Sequence, residues 1–192
     1  MIRKRVGVLI SGRGSNMAAL VAAARDPAYP AEIACVVSNR PDAAGLEFAK
    51  AQGIATHVIN HKDYATREAY DAALNDYLQS QKLDLVACAG FMRIITPVLL
   101  EPWDGKMINI HPSLLPLYKG TRTHNRVIAD GATVHGCSVH YVTAELDSGS
   151  VVAQAEVPVL PGDTAESLSA RVLAEEHKLY PKALAIVASR LT

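Results

Sequence analysis

Residues 109–116 read NIHPSLLP, and two of their side chains are suited to acyl-transfer chemistry. The amide of Asn109 can donate to an oxygen that gains negative charge, an interaction worth about 3 kcal/mol or more in such reactions. The imidazole of His111 can take up or return a proton near neutral pH. The two are two residues apart, so in a strand they share one face while Ile108 and Ile110 take the other. Pro112 cannot donate to a ladder and ends the strand, leaving both side chains at its carboxyl end. A catalytic His needs an orienting group, and Asp147 in the polar turn ELDSGS is the candidate. A carboxylate there would favour the imidazolium. The residues alone equally allow a structural reading of His111, bonded to a backbone carbonyl, and on their own they favour an ordinary turn acid at Asp147.

A second stretch, SGRGSN (11–16), follows an apolar run and opens an Ala-rich helical pattern. Such a junction turns free backbone N–H groups and a positive dipole end toward an anion. Gly12 and Gly14 allow close approach, and Ser15 and Asn16 add donors. There is no Lys for a Walker loop, Met17 stands where a dinucleotide fingerprint needs its third Gly, and SNR replaces the ribose-binding acid. A single sugar phosphate fits better than a dinucleotide. A third stretch, AGFMRIITP (89–97), offers backbone groups to a flat heterocycle and apolar Met92, Ile94 and Ile95 to its faces.

The remaining histidines suggest no metal site. His57 and His61 straddle a strand end and read as surface; His124 starts a helix; His135 opens a strand; His140 lies mid-strand close to the site; His177 is on the last helix. No Ser or Cys occupies a nucleophile elbow. Trp103 reads as packing.

Alternating strands and helices position these residues. Strands are expected at 5–11, 32–38, 54–59, 83–90 and 106–110, and helices at 16–26, 41–53 and 63–81, the last capped by Asp63. This rhythm implies a doubly wound, mostly parallel α/β sheet with helices on both faces. Strands at 137–143 and 150–159 add an antiparallel hairpin-like extension. A closing pair of helices follows, capped by Thr164 and broken at Pro181. No linker or repeat interrupts residues 1–192, so one domain is expected.

Composition agrees. Of 192 residues 49% are apolar, and 19 basic residues balance 19 acidic ones. That balance favours small molecules over nucleic acid. No apolar run reaches the roughly 20 residues of a membrane helix. Three widely spaced cysteines suggest reduced thiols and a cytoplasmic protein.

The motifs LISGRGSN, VVSNR, GIATH, TREAYD, AGFMRI, NIHPSLLP, HGCSVHYVT and ELDSG occur in this order over nearly the whole chain. Together they resemble the phosphoribosylglycinamide formyltransferases of the folate-dependent formyltransferase superfamily. The resemblance implies a Rossmann-like formyltransferase fold, with residues 1–100 as nucleotide-binding half and 101–192 as folate-binding and catalytic half. It implies formyl transfer from 10-formyltetrahydrofolate, without metal, to the amine of glycinamide ribonucleotide, by a monomer or homodimer. Carried over motif by motif, Gly14, Ser15 and Asn16 would hold the ribonucleotide phosphate, with Glu176 a further contact. Arg67, Met92, Arg93, Ile94, Ile95 and Asn109 would contact the folate. Asn109 would bond the formyl oxygen, His111 would transfer the proton, Asp147 would set its ionisation and His140 would lie in support. Arg13, Arg122 and Leu173 depart from residues common in that family. Two related enzymes are the rivals, a formyl-folate hydrolase and a methionyl-tRNA formyltransferase. Both would carry an extra domain. A non-catalytic nucleotide-sugar binding module is the alternative from another class.

Overall fold

The computed structural model describes residues 2–191. Five parallel strands form its centre: β1 (Lys4–Ile10), β2 (Ala31–Ser38), β3 (Ala55–Val58), β4 (Leu85–Cys88) and β5 (Met107–His111). Antiparallel β6 (Val134–Tyr141) and β7 (Val151–Pro158) extend one edge, giving the order β3-β2-β1-β4-β5-β6-β7. Six helices pack on the sheet: α1 (Ser15–Ala24), α2 (Ala44–Ala51), α3 (Arg67–Ser80), α4 (Pro97–Leu100), α5 (Thr123–Ala129) and α6 (Ala165–Arg190).

Period-two alternation divides the core between two faces. Val6, Val8 and Ile10 of β1 and Ile108 and Ile110 of β5 pack with α1, α2, α5 and α6. Leu9, Val86, Cys88 and Met107 pack with α3, α4 and Trp103 on the opposite face. Asn109 and His111 share the parity of Met107, as their spacing predicts. The strand order reverses between β1 and β4, so the loops leaving their carboxyl ends part and open a crevice.

Three details differ from the sequence reading. Asp63 lies in a 3-10 turn (His61–Asp63), and the N-cap of α3 is Thr66, whose hydroxyl accepts from Ala69 N at 3.1 Å. Pro41 precedes α2 instead of lying in it. The closing helix pair is one helix of 26 residues running through Pro181. Leu179, Tyr180, Ala183 and Leu184 are buried around that proline, and their burial outweighs the roughly 3 kcal/mol a helix-interior proline costs. Tyr29 Oη also donates to the Pro181 carbonyl at 2.6 Å. The expected cap at Thr164 is present and forms a capping box with Ser167.

Candidate active site

The crevice at the β1–β4 switch point is a cavity of about 630 Å³ lined by Ser11–Asn16, Asn39, Arg40, His61, Ala89, Gly90, Met92 and Arg93, with Ser169 and Leu173 of α6. It therefore draws on both halves of the chain. Gly14 is the N-cap of α1 at φ 70°, ψ 33°, with no side-chain cap, so the N–H groups of the first helical turn open into the cavity. A Cβ at Gly14 would stand 2.8 Å from Met17 Cε and 3.2 Å from Gly45 Cα. Gly45 N in turn donates to Gly12 O at 3.0 Å, seating the loop on α2. The arrangement suits a phosphate.

Glu176 is buried beside Asn16. Burial pushes its carboxyl up to about 7, and hydrogen bonding from Asn16 partly opposes this. His61, read from sequence as surface, is half-buried; its Nδ1 lies 2.9 Å from Asn39 O.

Beyond β4 the segment 91–96 crosses the crevice mouth. Met92 and Ile94 are 80% and 59% exposed. Among the described residues, the N–H groups of Arg93, Ile94 and Ile95 have no protein acceptor. Such a strip of free donors between exposed apolar side chains suits a planar heterocycle. Arg93 turns inward, its guanidinium 4.3 Å from the Tyr70 ring centroid. Arg67 is exposed at the start of α3 and is not in the cavity lining.

The residues at the end of β5 come together as their spacing suggests. Asn109 pairs with His140 across the β5–β6 ladder, so their side chains share a face, and Asn109 Nδ2 lies 3.3 Å from His140 Nε2. His140 Nδ1 lies 3.0 Å from the Tyr141 carbonyl, which can only accept, so Nδ1 carries the proton and Nε2 accepts from Asn109. Burial pushes His140 below its ordinary value, against the Tyr141 carbonyl and Asp147, so the neutral ring is maintained.

His111 Nε2 donates to the Tyr118 carbonyl at 2.9 Å, and its Nδ1 faces Asp147 Oδ2 at 3.5 Å. Asp147 Oδ1 lies 3.7 Å from His140 Nε2, and its Oδ2 accepts from Gly120 N at 2.9 Å. Asp147 adopts φ 50°, a left-handed conformation that Asp tolerates better than most residues. Gly149 fixes the turn, since a Cβ there would fall 1.8 Å from the Tyr141 carbonyl oxygen. Lys119 Nζ donates to Ser148 Oγ at 2.6 Å, joining the Asp147 turn to the loop that holds His111. Asn109, His111, Asp147 and His140 thus form one cluster of an amide, two imidazoles and a carboxylate.

Residues 4–184 match the family model described as formyl transferase. The chain belongs to the formyl transferase family. It is 44% identical over 178 residues to phosphoribosylglycinamide formyltransferase of Haemophilus influenzae, covering 93% of this chain and 84% of that protein. A crystal structure of phosphoribosylglycinamide formyltransferase from Brucella melitensis superposes with a TM-score of 0.94 at 49% identity, over 99% of this chain and 98% of that one. The trifunctional purine biosynthetic protein adenosine-3 of Bos taurus is 49% identical over 97% of this chain, which spans 18% of that longer protein. Within the family, the chain therefore groups with the phosphoribosylglycinamide formyltransferases.

Of the three residues set apart in the sequence, Arg13 and Leu173 line the cavity, while Arg122 is the left-handed N-cap of α5 at φ 56°. Sequence reasoning did not single out Ser11 and Asn39, which line the cavity, Tyr118 and Gly120, which hold His111 and Asp147, or the buried pair Asp71 and Thr96 behind segment 91–96. Tyr118 and Gly120 act through backbone groups that no side-chain pattern reveals. Asp71 did leave a sequence signal: a carboxylate on the apolar face of α3, between Tyr70 and Leu74.

No helix among the described residues is long and apolar enough to cross a membrane.

Proposed function

We propose that this chain transfers the formyl group of 10-formyltetrahydrofolate to the primary amine of glycinamide ribonucleotide. What carries this reading is the meeting of Asn109 and His111, at the carboxyl end of β5 beside β4, with Asp147 from the β6–β7 turn. The glycine-loop cavity and the 92–95 strip leave the carboxyl ends of β1 and β4. Gly14, Ser15 and Asn16 would hold the ribonucleotide phosphate, with Glu176 beneath. The 92–95 backbone would take the pterin edge, and Arg67 would meet a more distal part of the folate.

The residues divide the work as follows. As the amine adds to the formyl carbon, its carbonyl electrons move to oxygen. Asn109 Nδ2 already gives one hydrogen to His140 and offers the second to that oxygen. His111 Nε2 is engaged by Tyr118, so proton exchange runs through Nδ1, on the side shared with Asp147. Asp147 carries the counter-charge for the imidazolium. The carbon–nitrogen bond to the folate then breaks, and the proton lost by the amine ends on that leaving nitrogen. Three free, buried thiols support a reducing, cytoplasmic setting.

The test is to mix the protein with the formyl folate, with and without the ribonucleotide, and to follow release of tetrahydrofolate. Release only with the ribonucleotide is expected. Release without it identifies a hydrolase, and release in neither tube identifies a binding module.

A further inference from the structure

Behind the 92–95 strip lies a buried carboxylate that the reaction does not use. Asp71 is 1% exposed on α3, facing the core beside Leu74. Its Oδ2 accepts from both Thr96 N and Thr96 Oγ1, each at 2.7 Å. Its Oδ1 is buried without a partner among the described residues, as are Tyr70 Oη and Arg93 Nε. A half-satisfied carboxylate in a core costs stability, so stability does not explain it. Thr96 gives a second sign. It is the N-cap of α4, yet its hydroxyl makes no capping bond and is spent on Asp71 instead. The adjacent Tyr70 holds Arg93 under the same segment, and Met92 N, at the other end, donates to Ser11 Oγ at 2.8 Å. The segment is thus pinned at Met92, Arg93 and Thr96, and its unbonded N–H groups and exposed Met92 and Ile94 lie between or beside those pins.

We propose that Asp71 is a positioning residue for the folate strip: without touching the folate, it fixes the position of residues 93–95 through Thr96. The inference rests on the assignment of that strip to the folate under Proposed function. Burial raises the Asp71 carboxyl, while the two Thr96 donors and Arg93 lower it, so its hydrogen bonds are working against desolvation.

The experiment compares Asp71→Ala, Asp71→Asn and Thr96→Val with the wild type. KM for the formyl folate, KM for the ribonucleotide and kcat are measured, along with affinity for a non-transferable folate analogue by calorimetry. Asp71→Ala loses both bonds to Thr96 and is expected to raise the folate KM and Kd about tenfold or more, with kcat within about threefold of wild type. Asp71→Asn keeps an oxygen for both Thr96 donors and should stay within about threefold of wild type in every parameter. Thr96→Val loses one donor and should be intermediate. An unchanged folate KM in Asp71→Ala, or Asp71→Asn as defective as Asp71→Ala, overturns the proposal. If Asp71→Ala does not fold, Thr96→Val decides, and an unchanged folate affinity there overturns it. A wild type that binds folate without transferring formyl sinks the functional reading and leaves the Asp71 comparison intact in calorimetry. One that binds no folate sinks both.

Discussion

Asp147 Oδ2 stands 3.5 Å from Nδ1 of His111, with both side chains buried, while the opposite nitrogen of that ring is held by the Tyr118 carbonyl. Both ring nitrogens therefore face oxygen atoms, one of a carbonyl and one of a carboxylate. On the proposed reading this pair stands beside the amide of Asn109, where the oxyanion would form.

His111→Ala removes the charge and the proton carrier but leaves the phosphate loop and the folate strip in place. Turnover should fall by about 10²–10⁴, with KM for either substrate changed by no more than a few-fold. Steady-state kinetics with both substrates varied make the comparison. Near-native kcat would remove His111 from the chemistry.

Asp147→Asn keeps the shape of the turn and the acceptor for Gly120 N but removes the counter-charge. The carboxylate that faces His111 Nδ1 is lost, so kcat should drop by about 10² or more. The measurement is kcat of both proteins with both substrates saturating. A kcat within a few-fold of wild type refutes the coupling.

The same cluster marks how far the sequence was legible. Period two placed Asn109 and His111 on one face, and Pro112 closed the strand, because pleat geometry and a missing N–H act locally. Strand–helix alternation gave the sheet and, through the reversal at β1 and β4, the crevice. Asp63 was mistaken for a cap because Asp and Thr are both good N-caps, and only the tertiary path decides that Thr66 starts α3. Pro181 was read as a break because the penalty is local while the burial of Tyr180 and Leu184 that outweighs it is not. The Tyr118 carbonyl and the Gly120 amide, which orient His111 and Asp147, are backbone groups common to every residue and leave no trace in composition.

Gly14→Ala tests the phosphate loop. At φ 70° an L side chain is strained, and the new methyl would meet Met17 Cε at 2.8 Å and the Gly45 backbone at 3.2 Å. The loop must shift off α2, so KM for the ribonucleotide should rise about tenfold or more while KM for the folate changes little. Inorganic phosphate, competing with the ribonucleotide, should weaken as an inhibitor in parallel. An unchanged inhibition constant would separate the loop from phosphate binding.

Glu176 gives a prediction in stability rather than rate. Burial raises its carboxyl from the ordinary 4.5 to about 7, with Asn16 partly opposing, so between those values the folded protein binds the proton that the unfolded chain has released. The group's contribution is fully present below pH 4.5, is lost as pH rises to about 7, and stays lost above. Glu176→Gln holds a neutral group of the same shape at every pH. Its Tm should match that of wild type near pH 5 and exceed it at pH 8, by several degrees if the shift is worth on the order of 2–3 kcal/mol. Thermal unfolding of both proteins across that range provides the check. Equal Tm differences at pH 5 and pH 8 would mean that Glu176 does not change protonation on folding.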